Sequence, residues 1–345
     1  MSFPVIALLV LLVLLFLGAS YWIADLLLYG RRQPVINTPA DYDMAYEEIS
    51  FASQDGLLLK GWWIPSCQSE SAYQQGQTII MLHPHFGNRH GVSTQHQPWP
   101  RLWKNDLDLL PTAYTFLRAG YNVLMFDLRS HGESERGLCA GGLTEDQDVM
   151  GAVDYVFQRH QADGIATPQV GIIGFGLGAA AALAAAGREK GGANVIRVFS
   201  GDSAGGSGFL TIQPANVKRL RFIIAIQPAA LSALLAGCIR QKVGPLGLVL
   251  IPLVDKICQW RGGYPLAATS LHKCVREVHV PVMYVQPRTH PYIAGDQVES
   301  LYNATPEPKQ LCWIDPPGGR LEAYRYVATN MEDLLAFANQ QISKS

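Results

Sequence analysis

Residues 170–186 read VGIIGFGLGAAAALAAA. The strand-like half is apolar at almost every position, so it offers no polar face to water. Both of its faces must then be covered, which a parallel sheet layered between helices provides. Gly174, Gly176 and Gly178 punctuate a tight turn, and an alanine-rich helix follows. The same grammar recurs along the chain. QTIIMLHPH, YNVLMFDLRSHG, RFIIAIQP, VPVMYVQP and QLCWIDPP read as buried strands, while LLPTAYTFLRAG, TEDQDVMGAVDYVFQRH and LLAFANQQ read as helices. EEISFAS, a Gln-Asp-Gly turn and LLLKGWWIP form a hairpin ahead of them, with Trp62 and Trp63 as its packing residues. Apolar strands alternating with helices predict an α/β fold whose sheet is mostly parallel. Ligands in such sheets sit at the carboxyl ends of the strands.

The amino terminus follows a different rule. Residues 3–24 carry no charged side chain. As a helix they rise ~33 Å, enough for a hydrocarbon core of ~30 Å. Tyr21 and Trp22 fall where an aromatic belt would lie. Gly18-Ala19-Ser20 would suit a signal-peptidase site, but no basic residue precedes the apolar run and the run continues past that point. The reading is a transmembrane anchor over residues 3–28, with the membrane as its partner, and a linker over 29–45. Arg31 and Arg32 follow the span directly, which places the large domain in the cytoplasm. Charged residues make up 16% of the chain, against about 25% in ordinary soluble domains. A net charge of −1 gives no basic surface for nucleic acid. The six cysteines form no CxxC pair and no metal spacing, so they read as reduced thiols.

Residues 228–275 interrupt the strand-helix grammar. LSALLAGCI and GPLGLVLIPLV are apolar, and the second is too short to span a bilayer. They predict a helical cap over the sheet, with a lid that touches the membrane as the sharper alternative.

Three stretches together resemble the α/β-hydrolase superfamily, particularly membrane-anchored relatives of serine aminopeptidases and esterases, over residues 46–340. MLHPHFGNRH is similar to that family's His-Gly-x-x-x-Asn-Arg oxyanion loop, with His83 and His85 flanking Pro84 where glycine is usual. FDLRSHGES resembles its Asp-x-Arg-x-His-Gly-x-Ser loop and supplies Asp127, Arg129 and His131. FASQDGLLLKGWWIP resembles its opening hairpin. The resemblance implies an α/β-hydrolase fold of about eight strands with a helical cap insertion. It also implies where a triad would stand. The serine position falls on Gly176, at the centre of Gly-Phe-Gly-Leu-Gly. The acid position, in QPRTHPY, falls on His290, and the base position, in PGGRLEAY, falls on Arg320. Glycine carries no nucleophile, and arginine stays protonated. The family positions are therefore read as degenerate.

Other readings stay open at this point. GDSAGG at 201–206 resembles the nucleophile elbow of the hormone-sensitive-lipase branch and makes Ser203 an alternative nucleophile. Gly174, Gly176 and Ala179 fit a dinucleotide fingerprint, with Asp202 as a ribose-binding acid, and amides at Gly174, Gly176 and Gly178 could bind an anion with Arg320 assisting. His83, His85 and His90, with Asp127 and His131, could approach one metal ion, although bracing of the loops by hydrogen bonds is the simpler account. The expectation is a membrane-anchored, catalytically inactive hydrolase-like protein that holds a small ligand or a protein partner, with no cofactor and no metal. The alternative is a serine hydrolase working through Ser203.

Overall fold

In the computed structural model, residues 3–66, 76–95, 106–188, 220–290, 292–293, 295–315 and 320–343 are described. Among them one sheet of eight strands carries the body. Its strands are β1 (Glu47–Ala52), β2 (Leu58–Ile64), β3 (Gln77–Leu82), β4 (Asn122–Phe126), β5 (Gln169–Phe175), β6 (Leu220–Ile226), β7 (Val282–Pro287) and β8 (Lys309–Ile314). Their spatial order is β1-β2-β4-β3-β5-β6-β7-β8. β2 runs antiparallel to both β1 and β4, and every other pairing is parallel.

Period-two alternation assigns each strand residue to one of two cores. Trp63, Ile80, Leu82 and Ile172 face a cluster built with α3 (Asp146–Ala162) and α4 (Leu177–Arg188). Trp62, Ile79, Met81 and Ile173 face a cluster on the other side, built with α2 (Leu110–Arg118), α9 (Arg320–Thr329) and α10 (Glu332–Ser343). The two adjacent tryptophans thus serve opposite faces, and both are fully buried. A guanidinium stacks on each ring, Arg89 over Trp62 at 4.6 Å and Arg159 over Trp63 at 4.8 Å. α4 is apolar all round and buried from Leu177 to Gly187, which its alanines permit.

A third cluster lies outside the two sheet cores. The chain after β6 forms α5 (Leu231–Lys242), a short 3-10 turn (Pro245–Leu250) and α6 (Ile251–Gly262). α1 (Phe3–Tyr29) is the one described helix long and apolar enough to cross a membrane. Its carboxyl half buries Ser20, Ala24, Leu27 and Leu28. Ala24, Leu27 and Leu28 pack with Leu231, Leu235 and Ile239 of α5 and with Val254 and Cys258 of α6. The cap and the end of the apolar helix therefore share one core. α7 (His272–Val275) and α8 (Gly295–Ala304) return the chain to the body, where Val275, Val298 and Leu301 join the first cluster.

Candidate functional site at the carboxyl edge of the sheet

All the family-loop residues gather where β3, β4, β5, β7 and β8 end. The β5–α4 junction turns on Gly176, whose φ is +55°. This left-handed backbone comes freely only to glycine. The flanking glycines meet a different demand, close approach. A Cβ on Gly178 would lie 2.5 Å from the Leu82 carbonyl oxygen, and one on Gly174 would lie 2.4 Å from the Ala179 nitrogen. The turn is fixed by hydrogen bonds to its neighbours. The Gly176 amide donates to the Ile226 carbonyl at 2.9 Å, and the Gly178 amide donates to the His83 carbonyl at 3.2 Å. Those two amides are therefore already used, and the fingerprint glycines hold packed backbone. Two of the donors that the dinucleotide and anion readings use are thus taken within the protein. Asp202, the acid of that reading, lies outside the described residues.

Strained backbone marks the same edge. Phe86 after β3, Ser130 after β4 and Gln227 after β6 all have positive φ, at 64°, 62° and 51°. Non-glycine residues adopt that region at a cost of about 1–2 kcal/mol each. Such positions concentrate where loops must aim side chains at a site.

His83 leaves β3 fully buried. Its Nε2 accepts the Leu128 amide at 3.0 Å, so the ring proton sits on Nδ1, which donates to the Pro84 carbonyl at 2.9 Å. His131 donates from Nδ1 to the Arg129 carbonyl at 2.8 Å. Its buried Nε2 has no hydrogen-bond partner among the described residues. The backbone of Gly30 stands against that nitrogen, because a Cβ there would lie 2.8 Å from it. The His83 and His131 rings lie 5.0 Å apart, and His85 lies 5.3 Å from His131. Burial lowers both the His83 and the His131 pKa from 6.5 to about 4. These imidazoles are neutral structural groups.

Asp127 and Arg129 brace the loops, as the hydrogen-bonding account anticipates. Asp127 accepts the Arg89 amide and guanidinium, each at 2.6 Å, and the Glu133 amide at 2.8 Å. Arg89 also pairs with Glu133. Arg129 bridges Asp148 and Asp55, at 2.7 and 2.8 Å. His90 stands apart from these groups, 3.8 Å from Asp108. No group of three or more His, Cys, Asp or Glu residues among the described residues could hold a metal ion.

The two remaining family positions lie further along the edge. His290 follows β7, and its Nδ1 accepts the amides of Tyr292 at 3.1 Å and Ile293 at 2.9 Å. A carboxylate oxygen could make the same pair of bonds, so the imidazole fills that structural part of an acid's role. Arg320 opens α9, and residues 316–319 before it lie outside the described residues. The flanking residues are well placed. Ala323 and Tyr324 are fully buried, and the Tyr324 ring meets Phe175, at the end of β5, edge to face at 5.5 Å. Ser203 and the rest of GDSAGG lie outside the described residues, in the segment between α4 and β6.

Several site contacts come from residues that the sequence presents as the end of the anchor or as linker. Arg32 donates to the Ser134 carbonyl. Asn88 donates to the Pro34 carbonyl at 2.9 Å, and the Cys139 amide donates to the Leu28 carbonyl at 2.7 Å. Only the Asn88-Arg89 part of this arrangement had a local signal in the sequence.

The neutral histidines give a signed pH prediction. Unfolded imidazole binds a proton below about 6.5, whereas folded His131 resists one until about 4. The unfolded chain therefore binds more protons between these values, and stability falls as pH drops through them. Buried Asp146, pushed up to about 7, acts in the opposite direction, so the informative quantity is a difference between variants. The stability advantage of wild type over His131→Asn is expected to shrink by about 3 kcal/mol between pH 7 and pH 4. Urea unfolding at both pH values measures it, and a constant difference would contradict the buried neutral ring.

An eight-stranded, mostly parallel sheet whose second strand alone runs antiparallel, with a glycine strand-turn-helix after its fifth strand, defines the class of α/β-hydrolase-fold proteins. The two loops after β3 and β4 place that class's motif residues on one rim. The chain belongs to the Alpha/beta hydrolase family, whose model matches residues 79–308. It is 32% identical to the uncharacterized protein YfhR of Salmonella typhimurium over 311 residues, 89% of this chain and 84% of that one. It is 25% identical to the uncharacterized protein YqkD of Bacillus subtilis over 238 residues, 69% of this chain and 64% of that one. The Pyrococcus furiosus esterase Pf2001 shares the fold with a TM-score of 0.59 at 17% identity, covering 91% of this chain and 98% of that one. The α/β hydrolase GrgF from Penicillium gives a TM-score of 0.54 at 18% identity, covering 87% and 100%.

Proposed function

We propose that this protein is a membrane-anchored member of the family that does not hydrolyse, and that holds a small ligand or a partner protein at the carboxyl edge of its sheet. The observation that carries this reading is Gly176. The turn where this fold presents its nucleophile is intact in its neighbours and its backbone, yet its apex has no side chain. Three further features support it. Pro84 has no N–H to give an oxyanion. Nδ1 of His290 already accepts two backbone amides. An arginine at 320 cannot act as a general base at any ordinary pH. Loss of a nucleophile alone lowers a serine hydrolase's rate by about 10⁶. The esterase named among the structural neighbours shares the fold with this chain, and a shared fold does not carry its activity over. The apolar α1 would tether the protein, with Arg31 and Arg32 keeping the body on the cytoplasmic side.

Fluorophosphonate labelling of the full-length protein in detergent tests the reading, with circular dichroism to establish folding. Neither wild type nor Gly176→Ser is expected to label, because the family's base position carries an arginine and Nδ1 of His290 already accepts two amides. Labelling of wild type that disappears in Ser203→Ala would overturn the proposal and establish a nucleophile at an unusual place.

A further inference from the structure

We propose that the outer face of the cap rests in the interfacial layer of the same membrane leaflet through which α1 enters, so that the body is held at two points. This rests on the reading of α1 as a membrane span. The first observation is an apolar surface that the body leaves uncovered. Leu246 is 84% exposed, Val243 and Val249 are each 62% exposed, and Trp260 is 79% exposed. All four lie within the two cap helices and the turn joining them. Soluble proteins rarely show such large side chains clustered on one short excursion unless something covers them.

The second observation says what covers them. α6 lies against α1, and the depth of the contact is fixed by named pairs. Arg261 forms an ion pair with Asp25 at 2.8 Å and stacks over Tyr21 at 4.6 Å. Gly262 packs against Leu28 closely enough that a Cβ would lie 2.5 Å from its Cδ2. Arg261 also stacks over Tyr29 at 5.5 Å, so this end of α6, with Trp260 just before Arg261, lies against the stretch from Tyr21 to Tyr29, where the apolar helix meets its first charge at Asp25. Aromatic side chains favour that level of a bilayer. Ser20 is completely buried, although it lies ~8 Å along the helix axis on the apolar side of Asp25. Protein thus covers α1 inside the stretch that the hydrocarbon would otherwise reach. The cap carrying the exposed residues shares its buried core with the end of α1, so a bilayer crossed by α1 would lie beside it.

The third observation is charge. Arg240, Lys242 and Lys256 are the exposed charged residues of α5 and α6, and no acidic residue there is exposed. Asp255 is turned inward and accepts the Leu266 amide at 2.5 Å. An apolar patch with a basic rim matches the acyl–headgroup boundary of a leaflet containing anionic lipid.

The test uses the full-length protein in phosphatidylcholine vesicles containing phosphatidylglycerol, against Trp260→Phe to isolate the Trp260 emission. That emission is expected to be blue-shifted, quenched by acyl-brominated lipid and protected from iodide supplied on both sides. Leu246→Trp in the Trp260→Phe background is expected to behave alike. Asp163→Trp in the same background is expected to be quenched by iodide alone, since it lies in the turn before β5, at the opposite edge of the sheet. Both new tryptophans replace exposed residues, so neither endangers the core. Iodide quenching at Trp260 and at position 246, in a chain that resists alkaline extraction, would overturn the cap proposal and leave the anchor standing. Release of the chain by alkaline extraction would overturn both.

Discussion

Alanine at Arg129 is expected to lower the unfolding free energy of the full-length protein by about 3–5 kcal/mol, the usual loss when one partner of a buried ion pair is removed. The guanidinium meets Asp148 through Nε at 3.0 Å and through Nη2 at 2.7 Å, and meets Asp55 through Nη1 and Nη2 at 2.9 and 2.8 Å. Asp148 is fully buried, and the one other donor to its carboxylate among the described residues is the Arg129 amide at 2.9 Å. Without the side chain, a carboxylate stays in the interior with a single backbone donor. Burial works against the guanidinium charge, yet the two carboxylates more than compensate and push its pKa up. Lysine offers one point charge in place of a fork aimed in two directions, so Arg129→Lys should recover only a minor part. Asp148→Asn placed on Arg129→Ala should recover more, because it removes the orphaned charge. Urea unfolding in detergent measures all three. A loss under about 1 kcal/mol for Arg129→Ala would mean that the network is solvated, contrary to its burial.

The second large effect is expected at Gly174. Alanine there would place a Cβ 2.4 Å from the Ala179 nitrogen and 2.5 Å from the Ala179 Cα and the Gly178 carbonyl carbon. All three atoms are backbone, so no side-chain rotation relieves the clash, and α4 must move off the end of β5. A loss of about 2–4 kcal/mol follows from overpacking of this kind. Gly164 provides the contrast. Its φ is +78°, but no heavy atom lies within 4 Å of a Cβ there, so Gly164→Ala should lose only the left-handed backbone term, about 1 kcal/mol. Equal losses at the two positions would mean that α4 yields to the added methyl at little cost, contrary to the close backbone approach at 174.

Much of this architecture is readable from local pattern. Trp62-Trp63 sit in a strand whose neighbours alternate, and they face opposite cores as period two requires. The Asp127-to-Ser134 loop follows an uninterrupted apolar strand, which places it at the carboxyl edge. Phe175 and Tyr324 fall beside their motif positions and meet across the core. Other features had no local trace. The Asp55–Arg129–Asp148 network joins a hairpin turn, a strand exit and a helix start, and spacing in sequence cannot reveal it. The covered face of α1 was hidden for another reason. Ser20, Ala24, Leu27 and Leu28 lie in a helix apolar on every side, so no contrast separates the face that meets protein from the faces left exposed. Arg32 reads as an orientation charge, yet it also donates to the Ser134 carbonyl.

The shared core of α1 and the cap bears on how this protein could ever leave a membrane. Many tethered enzymes are liberated by a protease that cuts an exposed stalk. Here Gly30 backs the ring of His131, Gln33 is buried and Arg32 donates to the Ser134 carbonyl. A cut at that place, followed by loss of the helix, would strip the lining from Leu231, Leu235 and Val254 and leave the Cys139 amide without its acceptor. The fragment released would be an unravelling remnant rather than a working soluble form. If α1 spans a membrane as proposed, proteolytic release is a poor route to a soluble form, because the helix left behind is part of the body's core.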